Sequence, residues 1–111
     1  SGEQRRCWTY IEDAIDGFVG LATSDNAVGE IVNLGSNFES SIKDLAYKIK
    51  ELTGSDSEIQ FIPYDQTRRN GLYEDLVYRA PDLEKIRSLV GYDPKVNLDD
   101  ALTRIIDDYK R

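Results

Sequence analysis

The stretch Gln4-Arg5-Arg6-Cys7-Trp8-Thr9-Tyr10-Ile11-Glu12-Asp13 decides how the first part of the chain folds. Bulky and β-favouring side chains over residues 6–10 predict a short strand. From Ile11 to about Thr23, apolar residues recur at helical spacing, which predicts a helix with these residues facing inward. Two acidic residues in its first turn suit the positive end of that helix. A strand and a helix therefore follow one another directly.

Further along the chain, strands and helices continue to alternate. Residues 30–34 and 58–64 predict the second and third strands, and residues 65–80 predict a long loop. Three more helices are predicted between and after these segments, because residues with capping or breaking preferences mark their ends. These residues are Ser40 or Ser41, Gly54, Pro81-Asp82, Gly91 and Asn97.

These elements predict an α/β fold, a small subdomain with about four helices and three short strands. The strands are too few and too short for a doubly wound sheet. A length of 111 residues fits one domain, residues 1–111.

Composition excludes several classes of function. The net charge of −7 argues against a nucleic-acid-binding or anionic-membrane surface. The chain has no histidine and one cysteine, Cys7, so a zinc site and an intrachain disulfide are not expected. No apolar run approaches the roughly 20 residues of a membrane helix, and no signal-peptide pattern is present. We expect a reducing, cytoplasmic location.

Three arginines are the clearest candidates for ligand binding. Arg5 and Arg6 lie on the first predicted strand, so their side chains should point to opposite faces. The planar guanidinium fork suits a diphosphate, and Arg79, held beside Ala80-Pro81, is a second candidate phosphate ligand. The alternative is that all three are surface charges, with Arg79 paired to a nearby aspartate.

Four motifs in order give the chain a resemblance to a known family. They are Gln4–Asp13, Val32-Asn33-Leu34-Gly35, Tyr73–Asp82 and Gly91-Tyr92-Asp93-Pro94. Their order resembles the C-terminal, sugar-nucleotide-binding part of the NAD-dependent epimerase/dehydratase family, the extended short-chain dehydrogenases/reductases. Within the family, the UDP-glucuronate decarboxylase and UDP-glucose epimerase branch is the most similar.

The resemblance implies roles for particular residues. It implies that Gln4, Arg6, Tyr73 and Arg79 bind a nucleotide sugar, with both arginines at the phosphates. In the decarboxylase branch the residue matching Arg79 also assists the chemistry. Asp13 matches an acid with a structural role. The sugar itself stays open, because residues 68–70 differ from those of many relatives.

Two motifs of the family are missing from this chain. It has neither a glycine-rich dinucleotide loop nor a Tyr-x-x-x-Lys pair. The resemblance therefore implies a small substrate-binding subdomain of a larger enzyme, which binds a nucleotide sugar of the UDP-sugar type. NAD would be bound by a separate N-terminal Rossmann domain, which this chain lacks. We expect that this chain binds no cofactor or metal, has no catalytic residue of its own and performs no redox chemistry alone.

Alternative interpretations remain for the function and for two aromatic residues. The chain could be a non-catalytic interaction module that forms a homodimer through an apolar surface its missing domain would cover. A hydrolase using Asp99-Asp100 and Asp107-Asp108 is less favoured, since adjacent helical residues point apart. Trp8 and Tyr10 could flank a uracil ring or belong to the core.

Overall fold

The structure, a computed structural model, describes residues 2–63 and 76–111. The described part contains four α-helices and one three-stranded sheet, which confirms the predicted small α/β fold. A 3₁₀ turn at Asp25–Ala27 follows the first helix. The strands are β1 (Arg5–Cys7), β2 (Glu39–Ser41) and β3 (Tyr78–Arg79), and the helices are α1 (Ile11–Ala22), α2 (Ile42–Thr53), α3 (Glu84–Val90) and α4 (Leu98–Tyr109). Among the described residues, no helix is long and apolar enough to span a bilayer.

The sheet has β1 at its centre, with β2 antiparallel on one side and β3 parallel on the other. Arg6 is the register partner of both Ser40 on β2 and Arg79 on β3. Because side chains alternate along a strand, these three residues share one face of the sheet. Arg5, Ser41 and Tyr78 are register partners on the opposite face.

Most of the predicted strand positions were wrong. The first strand occupies Arg5–Cys7 and not residues 6–10. Residues 30–34 are not a strand, because residues 31–34 make no backbone hydrogen bond to another described residue. Residues 58–63 also form no strand, and Tyr64 lies outside the described residues. The other two strands, β2 and β3, formed where no strand was predicted, because each is defined by its pairing with β1.

The core lies between α1, α3 and the segment 32–34. Leu83, Ile86 and Tyr92 are buried at its centre. Four partly buried side chains pack around them: Leu21, Val32, Leu34 and Val90. Segment 32–34 is therefore held by side-chain packing and not by a ladder of hydrogen bonds.

Helix α1 does not face the core as its apolar pattern predicted. Ile11, Ile15 and Phe18 are exposed, whereas Asp13 and Gly17 are buried. A Cβ atom at Gly17 would overlap Leu34 Cδ1 and lie 3.1 Å from the Tyr92 ring. The helix thus approaches the core through its glycine, because only hydrogen fits there.

Four helix ends follow the capping residues that the sequence indicated, but the predicted start at Pro81-Asp82 was wrong, because α3 begins at Glu84 with Leu83 as its N-cap. Ser41 Oγ accepts the Asp44 N–H at 2.9 Å, and Asn97 Oδ1 accepts the Asp100 N–H at 2.9 Å. Gly54 has the left-handed conformation that ends α2, as Gly91 does for α3. Helix α2 begins directly after β2, so the residue that caps the helix is also the last residue of the strand.

Candidate functional site

Arg6 and Arg79 occupy directly opposite positions on β1 and β3. The two arginines that the motifs singled out are far apart in the sequence, and parallel pairing brings them together on one face of the sheet. Arg79 is exposed, and Arg6 is partly exposed and donates a 2.7 Å hydrogen bond to the Arg5 carbonyl oxygen. The register therefore brings two positively charged residues to one face of the sheet.

Arg5 lies on the other face and has a different partner. Its Nε donates to Glu39 Oε1 in an ion pair. The hydrogen bond and the negative charge of Glu39 raise the pKa of Arg5. The opposite orientation of Arg5 and Arg6 agrees with strand alternation, and it makes Arg5 a natural control for Arg6.

Of the other two predicted binding residues, the structure describes one. Gln4 directly precedes β1, and its carbonyl oxygen accepts the Ile42 N–H at 3.0 Å, so its backbone joins β1 to the start of α2. Strand alternation would place its side chain on the face of Arg6. Tyr73 lies outside the described residues.

Ser40 is a residue of the arginine face that the sequence analysis missed. Its Cα is the register partner of Arg6, so Ser40, Arg6 and Arg79 form a row across the three strands. Ser40 Oγ accepts a 2.9 Å hydrogen bond from Trp8 Nε1, which fixes the indole beside β2. No local signal identifies Ser40, because only the strand register brings it to this face.

Asp13 has a structural role, as the resemblance implied. The side chain is 5% exposed, and its two oxygens accept the backbone N–H groups of Lys95 and Val96 at 3.1 and 2.9 Å. These bonds connect the first turn of α1 to the segment that leads into α4. Because both carboxylate oxygens accept backbone hydrogen bonds, the side chain serves to join these two segments.

Trp8 and Tyr10 line a groove of about 800 Å³ together with α2 and α4. The apolar side chains of the groove include Leu45, Ile49 and Leu102. Arg104 lies over the Tyr10 ring, 5.3 Å from its centroid, and donates to Glu12 at 2.8 Å. The two aromatic residues are thus partly buried against helices, which favours the packing interpretation over a role as a nucleobase platform.

The chemistry available to the arginine face is anion binding. Two guanidinium groups can donate parallel hydrogen bonds to phosphate oxygens, and a hydroxyl adds one more polar group. In the described part of the chain, no cluster of three or more carboxylates, cysteines or histidines could hold a metal ion. Cys7 lies on the other face from Arg6, and partial burial, with a contribution from Glu39, raises the pKa of its thiol.

Comparison with known proteins places the chain in a family. The sequence profile of the family described as GDP-mannose 4,6 dehydratase matches residues 1–105. The chain belongs to this family, within the NAD-dependent epimerases and dehydratases, and the resemblance drawn from its motifs is confirmed.

Two relatives lie in the branch that the motifs indicated. A UDP-N-acetyl-α-D-glucosaminuronate decarboxylase from Bacillus cytotoxicus is 34% identical over 105 residues, 95% of this chain and 32% of the relative. UDP-glucuronic acid decarboxylase 1 from Xenopus tropicalis is 37% identical over 111 residues, all of this chain and 24% of the relative. The chain therefore spans no more than about a third of the length of these relatives.

Solved structures agree on the fold. UDP-glucuronic acid 4-epimerase from Bacillus cereus, in complex with UDP-glucuronic acid and NAD, matches with a TM-score of 0.82 and 27% identity over 99% of this chain and 33% of that protein. The Bordetella bronchiseptica enzyme WbmF, in complex with NAD⁺ and UDP, matches with a TM-score of 0.76 and 30% identity over 98% of this chain and 30% of that enzyme.

The described residues do not form a cradle for NAD. A dinucleotide site uses a glycine-rich turn between a strand and a helix, where backbone N–H groups approach the pyrophosphate. In the described part, the connection from β1 to α1 is Trp8-Thr9-Tyr10, β2 runs directly into α2, and residues 80–83 connect β3 to α3 without a glycine. That the chain binds no NAD by itself stays a prediction.

Proposed function

We propose that this chain binds a nucleotide sugar, a UDP-sugar, as the substrate-binding part of an NAD-dependent epimerase, dehydratase or decarboxylase. Arg6 and Arg79 hold the diphosphate between β1 and β3. The observation that carries the proposal is the register of these strands, which sets the two arginines opposite each other on one face.

Electrostatics supports a diphosphate as the ligand. Two arginines on one face of the sheet favour a ligand with more than one negative charge, because each guanidinium group can donate parallel hydrogen bonds to phosphate oxygens. The chain as a whole carries a net charge of −7, so the two arginines are not part of a broad basic surface. A local pair of positive charges of this kind favours a small anion over a large polyanion. Gln4 and Tyr73 complete the proposed set of substrate-binding residues.

Relatives support the choice of a UDP-sugar. The Bacillus cereus epimerase is described in complex with UDP-glucuronic acid, and the Bordetella bronchiseptica enzyme in complex with UDP. The Xenopus tropicalis relative is a decarboxylase of UDP-glucuronic acid. In a parent enzyme of this kind, the residues of this chain would bind and orient the substrate. Arg79 is the one residue for which we propose an assisting role near the reacting sugar.

The test is a titration of the chain with UDP, followed by amide chemical shifts in NMR. We expect saturable shifts in residues 4–10 and 76–80. Because each arginine supplies charged hydrogen bonds to the diphosphate, Arg6→Ala and Arg79→Ala should each weaken binding by about tenfold or more. UMP should bind more weakly than UDP, because it has one phosphate group fewer to contact Arg6 and Arg79.

Arg5→Ala is the matched control for this titration. It removes a neighbouring arginine of the same strand, but one that points to the other face and pairs with Glu39. Its UDP affinity should equal that of the unmodified chain. Equal losses from Arg5→Ala and Arg6→Ala would show only a general charge effect, and well-dispersed spectra without shifts would refute binding by this chain alone.

A second function, self-association, is favoured by one specific observation. Helix α1 exposes a run of large apolar side chains that a soluble helix usually buries: Ile11, Ile15, Phe18 and Val19. The chain would then be an interaction module that forms a homodimer through α1. Sedimentation at increasing concentration tests this, and Phe18→Ser should lower any dimer fraction; a monomer at high concentration excludes it.

A further inference from the structure

The segment Gly35-Ser36 contacts the chain just beyond the ends of both β1 and β3. On the β1 side, Ser36 Oγ donates a 2.5 Å hydrogen bond to the carbonyl oxygen of Trp8, the first residue after the strand. On the β3 side, a Cβ atom added at Gly35 would lie 2.8 Å from Cγ of Pro81, the second residue after the strand. Because β1 and β3 are parallel, both strands end at the same edge of the sheet, and the segment lies against both there.

Space, and not backbone conformation, requires a glycine at position 35. Gly35 does not have the positive φ of the glycines that end α2 and α3. A Cβ atom there would overlap Pro81 Cγ, whereas Pro81 Cβ at 3.6 Å and Thr9 Oγ1 at 3.7 Å would be ordinary contacts. Within the described part of the chain, the overlap therefore involves one atom of the proline ring.

Hydrogen bonding and burial hold Gly35-Ser36 in place beside Pro81. The Gly35 carbonyl oxygen accepts the buried Tyr92 O–H at 2.7 Å, and Ser36 is 1% exposed, so close packing leaves the segment little room to shift. By contrast, residues 76–80, which lead to Pro81, are exposed. A side chain at position 35 would therefore displace Pro81 and the end of β3, and not the segment itself.

We propose that Gly35 is a positioning residue of the phosphate site, which sets the distance between Arg6 and Arg79 through its contact with Pro81. This inference rests on the proposed function, and it adds the residue that adjusts the site to a diphosphate. Arg6 lies two residues before Trp8, and Arg79 lies two residues before Pro81, so the segment holds the two strands at corresponding positions. Charge-assisted hydrogen bonds from both arginines to one ligand need this spacing to be kept, because they weaken steeply with distance and angle.

Titrations with UDP and with UMP test the positioning role. Because a diphosphate has more phosphate oxygens to share between the two arginines, a displaced β3 should reduce the affinity for UDP more than the affinity for UMP. We expect Gly35→Ala to lower the ratio of UDP to UMP affinity by about tenfold, the effect of losing one hydrogen bond to a charged group. An unfolded fraction of the protein lowers both affinities equally, so a purely structural effect would leave the ratio unchanged and would overturn the inference.

Gly20→Ala is the matched control for this substitution. Its Cβ atom would lie at an ordinary distance of 3.5 Å from the Val90 side chain, away from the ends of β1 and β3. The ratio of UDP to UMP affinity should equal that of the unmodified chain. An equal fall of the ratio in Gly20→Ala and Gly35→Ala would contradict a specific role of Gly35.

Pro81→Ala provides a reciprocal test. It removes Cγ and leaves a gap beside Gly35, so the ratio of UDP to UMP affinity should also fall. In the double variant Gly35→Ala/Pro81→Ala, the new methyl group would lie 3.6 Å from the remaining Cβ atom, so the ratio should recover to within about twofold of that of the unmodified chain. A double variant whose ratio is no higher than that of Pro81→Ala would overturn the inference, even if Gly35→Ala alone does not fold.

The failure of this inference can be told apart from failure of the proposed function. If the unmodified chain binds UDP and Gly35→Ala keeps its ratio of UDP to UMP affinity, the positioning role is wrong and the phosphate site stands. If the unmodified chain does not bind UDP, the phosphate site is refuted, and the positioning role with it.

Discussion

The Tyr92 phenol donates a 2.7 Å hydrogen bond to the Gly35 carbonyl oxygen, which lies 57 residues earlier in the chain. The bond is buried and joins the segment after α3 to the extended segment that packs beneath α1. Since these segments are distant in sequence, the bond ties together the two parts of the core.

Replacing Tyr92 with phenylalanine should lower the free energy of unfolding by about 1–2 kcal/mol, because a buried carbonyl loses its partner. Urea unfolding measures this. Tyr109→Phe is the control, since Tyr109 is 89% exposed, and its change should stay within about 0.5 kcal/mol. Equal effects of the two substitutions would contradict the importance of the bond to Gly35.

Alkaline pH should weaken the same part of the core. Burial, together with the charges of Asp13, Asp16 and Asp93, raises the pKa of Tyr92 above its usual value of 10.0. The folded state therefore favours the neutral phenol, and this contribution is complete below pH 10 and is lost as the pH rises through the folded pKa. The stability difference between the unmodified chain and Tyr92→Phe should shrink above pH 10; a constant difference from pH 8 to 11 would contradict this.

Replacing either of two glycines of α1 with alanine should change the stability of the protein, but in opposite directions. A Cβ at Gly17 would overlap Leu34 and crowd Tyr92, so Gly17→Ala should destabilise the protein by about 1–3 kcal/mol. A Cβ at Gly20 would lie 3.5 Å from the Val90 side chain, an ordinary contact, so Gly20→Ala should stabilise it by about 0.5–1 kcal/mol through helix propensity. The thermal unfolding midpoints of both variants test this prediction. A higher midpoint for Gly17→Ala would contradict it and would mean that α1 can move away from the core.

Asp13→Asn should destabilise the protein by about 1–3 kcal/mol. The amide group leaves one of the two backbone N–H groups of Lys95 and Val96 without an acceptor, and it removes the negative charge that strengthens both bonds. Asp16→Asn, on the exposed side of the same helix, should change stability by no more than about 0.5 kcal/mol. Equal unfolding midpoints for the two variants would refute the structural role of Asp13.

The sequence predicted local features of the fold well and its long-range pairing poorly. The caps Ser41 and Asn97 and the stop at Gly91 were predicted because each depends on residues within a few positions. Strands β2 and β3 were missed because they are only three and two residues long and exist through pairing with β1. An apolar run is not sufficient for a strand: Ile31 is 90% exposed and its segment has no described neighbour to pair with.

The candidate site was predicted in part for the same reason. Motifs identified Arg6 and Arg79, but their direct opposition follows from the register, which no short motif encodes. Ser40 entered the site only through that register. The roles of Arg6 and Arg79 in binding stay predictions, and so does that of Tyr73, which lies outside the described residues.

The strand order β2-β1-β3 has a consequence for biosynthesis. The central strand is synthesised before both of its neighbours, and its parallel neighbour is made about 70 residues later, which takes roughly 4–15 s at ordinary translation rates. During that interval the Arg6 edge of β1 has no β3 to pair with. The arginine pair can therefore assemble only late in translation, so a chain cut short before residue 78 would carry Arg6 without its counterpart.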